Sequence, residues 1–300
     1  MLVIGLILAT LIGVSLGLLG GGGSILTVPT LLYVFHLPAR EAIATSLLVV
    51  GTTSLAALVP HARAGRVQWK TGAVFGVASM LGAFVAGRFA SRIPESILLL
   101  GFGGMMVATA IAMMRKRRPD AAPADADAPE TPTSLPIPLI LAEGLVVGAV
   151  TGLVGAGGGF LVVPALVLLG KLPMGQAVAT SLMVIAMKSF AGFAGYAGAV
   201  HVNYSLAAMV TVAAVLGSVL GGSLVSRVHP DSLRKGFGWF IVVMSIFVLG
   251  QEVPKLFGMR VSVATHGPQL FAAMVTPLVI AAVIRLVRDR VTPPPAPTSA

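Results

Sequence analysis

The chain has 300 residues, 56% of them hydrophobic and only 10% charged, with a mean hydropathy of +0.98. A soluble domain carries about 25% charged residues, and apolar runs long enough to span a bilayer recur here from end to end, so the chain reads as an all-α polytopic membrane protein. With no cysteine, disulfides and thiolate metal sites are excluded, and the net charge of +10 lies mainly in loops and tails, where it sets topology rather than gripping nucleic acid.

Residues 2–19 open the chain as an apolar run that could pass for a leader. It has no basic start and has a counterpart at 137–155, which cannot be a leader, so retained structure is expected. The run ends in a glycine cluster, Gly17-Leu-Leu-Gly20-Gly-Gly-Gly23-Ser24-Ile-Leu-Thr-Val-Pro29, and resumes over 24–36. Each glycine disfavours helix by about 1 kcal/mol relative to alanine, so the cluster is a built break. Helices are predicted next over 41–60, 71–90 and 95–114. Arg115 to Arg118 follow, then a Pro-, Ala- and acid-rich stretch that cannot bury a core and reads as a disordered linker, 119–136.

The pattern then restarts. A second split run covers 137–154 and 160–170, with Gly152-Leu-Val-Gly155-Ala-Gly-Gly-Gly159-Phe-Leu-Val-Val-Pro164 at its break, before helices over 175–198, 204–225 and 232–250. The offset is 135 residues without gaps: Leu37-Pro38 matches Leu172-Pro173, Ala44 to Leu47 matches Ala179 to Leu182, and Ser54 matches Ser189. The organisation is therefore two four-segment repeats, 1–118 and 137–251. An extra apolar segment (about 269–284) and a basic, Pro-rich tail fall within 252–300.

Counting basic residues tests how the repeats lie. If each split run crosses once, the repeats are parallel, and nine Lys/Arg fall inside against ten outside. If each is a re-entrant hairpin, the second repeat is inverted and the count becomes fourteen inside against five outside. The positive-inside rule favours the inverted arrangement, with linker and tail cytoplasmic.

Four features carry candidate chemistry. Gly20, Gly21, Gly22, Gly23 and Ser24, and in the second copy Gly155, Gly157, Gly158 and Gly159, begin short helices whose N-termini would point into the interior. Such ends leave unpaired N–H groups and about half a positive charge, an anion site without a fixed cation. The competing reading is close helix packing. Thr45 and Ser46, with Thr180 and Ser181, lie one turn into the following helices and can donate to an anion or bond back to their own helix. Lys188 sits mid-helix in an apolar segment, where its repeat partner is Thr53 and no carboxylate is near in sequence. A buried cation without a protein anion points to a ligand anion; a neutral lysine carrying protons is the alternative. Gly72-xxx-Gly76 and Gly217-xxx-Gly221 read as packing faces. Trp69, Trp239, Tyr33, Tyr196 and Tyr204 read as interfacial anchors.

No mid-membrane Asp or Glu, no Ser/His/Asp grouping and no metal-spaced cluster occurs, which argues against an intramembrane enzyme; no cofactor and no metal are expected. The two glycine clusters with their following prolines, and the Leu-Pro and Ala-Thr-Ser-Leu stretches after each, resemble the TauE/SafE sulfite-exporter-like family over roughly residues 5–250. The resemblance implies two related multi-helix halves in a prokaryotic inner membrane that move sulfite, sulfonates or other small organic or sulfur-containing anions. The expectation is a secondary transporter of a small anion using alternating access, its partners being that anion and the bilayer. An anion channel and a non-transporting scaffold or receptor stay open, as do substrate, direction, coupling ion and homo-oligomer formation.

Overall fold

The computed structural model describes residues 2–19, 22–90, 92–114, 137–155, 158–168, 172–196, 198–224, 242 and 245–253. The expected linker, most of the segment 232–250 and the extra C-terminal segment with its tail lie outside the described residues. Those described form helices throughout: α1 (Leu2–Leu19), α2 (Thr27–Tyr33), α3 (Ala39–Arg63), α4 (Trp69–Ala90), α5 (Glu95–Met114), α6 (Ile137–Val154), α7 (Gly159–Leu168), α8 (Met174–Tyr196) and α9 (Tyr204–Leu224). Four stretches are long and apolar enough to cross a membrane: Ala39–Arg63, Trp69–Ala90, Gly175–Tyr196 and Tyr204–Gly221. The boundaries lie close to the hydropathy breaks. The main difference is α3, which continues past Pro60 to Arg63. A proline one turn from a helix end removes a single hydrogen bond, and Ala64 N–H still closes the turn on the Pro60 carbonyl at 3.1 Å.

At the first glycine cluster the chain reverses. After α1 a 3-10 turn, Gly22–Leu26, leads into α2. A methyl added at Gly23 would sit 2.6 Å from the Leu16 nitrogen, so this turn folds back against α1. One at Gly5 would overlap the ring of Phe35, so the chain after α2 has returned beside the start of α1.

The centre of the molecule is the crossing of α3 with α8. Leu47 lies against Gly192, and Ser189 with Phe190 against Gly51, so the two helices run antiparallel. Around them α1 packs along α9 and α4 lies between α6 and α8. These outer contacts are backbone to backbone. A methyl at Gly217 would meet the Val14 nitrogen at 3.0 Å, and one at Gly82 the Ala149 nitrogen at 2.7 Å. The apolar interior includes Leu47, Phe102, Met106 and Tyr196, and the ring of Tyr33 stands edge-on to Phe247 with centroids 4.9 Å apart.

Trp69 and Tyr204, at helix starts, are 54% and 65% exposed, as interfacial anchors should be. Tyr33 and Tyr196 differ from that expectation. Both are buried, and the Tyr196 hydroxyl donates to the Leu153 carbonyl at 2.9 Å. Trp239 lies outside the described residues.

Candidate functional site

The second glycine turn and α8 build the site. Gly155 and Gly158 have φ of +70° and +60°, a conformation L side chains rarely adopt, so glycine is required at both. Crowding adds a second reason. A methyl at Gly155 would press on Ile43 backbone at 2.9 Å, and one at Gly158 would overlap the Lys188 Nζ. The turn therefore exposes bare backbone to α3 on one side and to a lysine ammonium on the other.

Lys188 is 1% exposed, in the interior of α8. Its Nζ donates to Thr151 Oγ1 at 2.7 Å. Thr151, itself 1% exposed in the last turn of α6, passes its own proton to the Val147 carbonyl at 2.6 Å. An ammonium has three N–H donors, and this bond uses one. Among the described residues no carboxylate lies at ion-pair distance from it. The N-terminus of α7, carrying about half a positive charge, begins at Gly159, beside the same ammonium.

The hydroxyl stretches divide. Ser46, buried in α3, donates to the Gly155 carbonyl at 2.7 Å and so ties the first half of the chain to the second glycine turn. Thr45 is buried with no hydrogen-bond partner for its hydroxyl. Thr180 accepts the Gln68 backbone N–H at 3.0 Å, and Ser181 donates to the Val178 carbonyl at 2.7 Å. Because α3 and α8 are antiparallel, Thr45 and Ser46 lie towards one end of the pair and Thr180 and Ser181 towards the other, with Lys188 in between. Ser24 is fully buried behind Gly22 and Gly23 in the first turn. Gly20, Gly21 and Gly157 lie outside the described residues.

Thr151 is the residue that the sequence reading missed. Its one available signal was asymmetry, since its repeat partner is Leu16 and Lys188's is Thr53, so a polar pair stands where the first half has an apolar residue and a threonine. Among the described residues no group of His, Asp and Glu could hold a metal.

Apolar spanning helices around a buried cation and a broken turn define a multi-pass membrane transporter. The chain belongs to the sulfite exporter TauE/SafE family, whose pattern matches residues 5–248. It is similar to a probable membrane transporter protein of Xylella fastidiosa, 33% identical over 253 residues, covering 82% of this chain and 94% of that protein. A probable membrane transporter protein of Bacillus subtilis, YunE, is 32% identical over 255 residues, covering 77% and 91%. One from Methanocaldococcus jannaschii is 28% identical over 259 residues, covering 81% and 94%. No solved structure matches the chain.

Proposed function

We propose that the protein is a secondary transporter of a small anion, with sulfite, a sulfonate or another organosulfur or carboxylate anion as substrate, working by alternating access between two inverted halves. One observation carries the reading. The Lys188 ammonium and the positive end of α7 converge at Gly158 with no carboxylate at ion-pair distance among the described residues. Two like-signed groups repel each other in a low-dielectric interior, and an anion between them turns that repulsion into attraction. The family name supports sulfite as the first substrate to test.

The inverted relation draws support from three independent features. The repeat-equivalent helices α3 and α8 run antiparallel, as they must if the axis relating the halves lies in the membrane plane. The contacts exchange between halves: Gly13 meets Ala214 and Gly148 meets Ser79, both members of each pair being 135 residues from their equivalents. The inverted arrangement also collects fourteen of the placed Lys/Arg on one side, with Gln68 and Gln176 at the cytoplasmic end. Membership of a transporter family favours flux over a scaffold role, and an inner-membrane location follows from the same reading.

The test is thermal stabilisation of purified protein by sulfite, sulfate, thiosulfate, taurine and small carboxylates. At least one of these anions is expected to raise the melting temperature, and Lys188→Met, while still folding, is expected to abolish that rise. An undiminished rise in Lys188→Met would remove the lysine from the site.

A further inference from the structure

Three repeat-related positions meet at each end of the α3–α8 pair, and the two ends bond them differently. Gln68, Gln176 and Thr180 occupy one end; Asn203, Glu41 and Thr45 occupy the other, and Gln68/Asn203, Glu41/Gln176 and Thr45/Thr180 each differ by the same 135 residues. At the first end the Gln68 backbone N–H donates to Thr180 Oγ1 at 3.0 Å, and its side-chain Nε2 donates to Gln176 Oε1 at 3.0 Å. At the second end the Asn203 backbone N–H goes to Glu41 Oε1 at 3.3 Å. The Asn203 side chain turns away to accept Leu206 N–H at 3.1 Å. Thr45 Oγ1, the equivalent of the threonine engaged at the first end, is left with no partner although Thr45 is only 1% exposed. A buried hydroxyl without a partner is unfavourable, and here the missing partner is visible in the other half.

We propose that these are the two states of one clasp, and that the protein exchanges them between its ends as it opens to one side and then the other. In the exchanged state Asn203 N–H moves from Glu41 to Thr45, while Gln68 N–H moves from Thr180 to Gln176. Each end swaps one acceptor for another, so the bonds made equal the bonds lost. The two states then differ little in energy, as a two-state element must for a modest ligand bias to move it. The inference rests on the alternating-access reading. It makes Thr45 and Thr180 parts of the gates at opposite ends, and leaves Lys188 and the Gly158 turn to hold the anion between them.

The chain has no cysteine, so single reporters can be placed directly. Ala42 and Ala177, neighbours of Glu41 and Gln176 and both fully buried, are repeat equivalents. A42C and A177C are labelled with a membrane-impermeant maleimide from each face of oriented vesicles. Thr180→Val weakens the present state and is expected to speed labelling of A177C and slow that of A42C, each by about fivefold, the weight of one net hydrogen bond. Thr45→Val weakens the exchanged state and is expected to shift both reporters the opposite way. Thr→Ser at either position keeps the hydroxyl and should behave as the parent, and Thr→Ala gives the same signs as valine should the valine variants not fold. Variants that melt like the parent yet move both reporters in one direction, or neither, overturn the clasp. Anion stabilisation of the parent is read in the same preparations. Its absence alone sinks the transporter reading, whereas its presence without opposed labelling sinks only the clasp.

Discussion

Lys188 and Thr151 form the pair on which the anion reading turns at the level of single residues. A hydrogen bond to a charged group contributes about 1.5–3 kcal/mol, more than a neutral one, because the low-dielectric interior offers the ammonium no water in exchange. Thr151 thus fixes where the Lys188 Nζ points, towards Gly158. Thr151→Val, of similar shape but without the hydroxyl, is expected to weaken the stabilising anion by about tenfold or more in a thermal-shift titration, and Thr151→Ser to restore it. Equal affinity in valine and serine variants would reduce Thr151 to packing. Lys188 was legible in the sequence because a lone charge inside an apolar helix is costly wherever that helix packs. Thr151 was not, because a threonine bonded to its own i−4 carbonyl has the same local pattern whether or not a lysine from another helix donates to it.

Between elements, glycine marks three kinds of contact that the sequence cannot tell apart. Gly217 and Gly82 face the backbones of α1 and α6, which cannot move aside. Gly76 faces the side chain of Met187, with Sδ 2.7 Å from an added methyl, and a methionine can change rotamer. Gly101 and Gly104 face nothing within 4 Å. The expected order of destabilisation by alanine follows: Gly217→Ala and Gly82→Ala cost about 1–3 kcal/mol or more, Gly76→Ala less, and Gly101→Ala and Gly104→Ala are neutral or stabilising by up to about 1 kcal/mol. Melting of the purified variants in one detergent checks the order, and a Gly101→Ala loss as large as that of Gly217→Ala would contradict it. The Gly72-xxx-Gly76 and Gly217-xxx-Gly221 spacings were read correctly as packing faces. Which of them meets backbone and which meets methionine depends on the partner helix, and spacing within one helix carries no information about that.

At the scale of the whole molecule the two halves interlock. The first helix of each half packs against the equivalent of α4 in the other, α1 on α9 and α6 on α4, so neither half closes its own core. The inverted topology makes a specific prediction: a reporter enzyme fused after Thr292 should be active only in its cytoplasmic form, and periplasmic activity would sink the inverted model. The sequence by itself determined the helical, membrane-embedded class, the duplication, the element boundaries to within a few residues and the lone interior charge. All of these are written in local hydropathy, in glycine and proline breaks, and in self-similarity. Only the tertiary structure decided that α3 and α8 run antiparallel, that Ser46 reaches the Gly155 carbonyl 109 residues away, and that Thr180 is engaged while Thr45 is not. The physical reason is that direction and hydrogen-bond partnership arise between helices. A buried hydroxyl or ammonium takes whichever partner the packing brings within about 3 Å, and the residues around it in the chain do not name that partner.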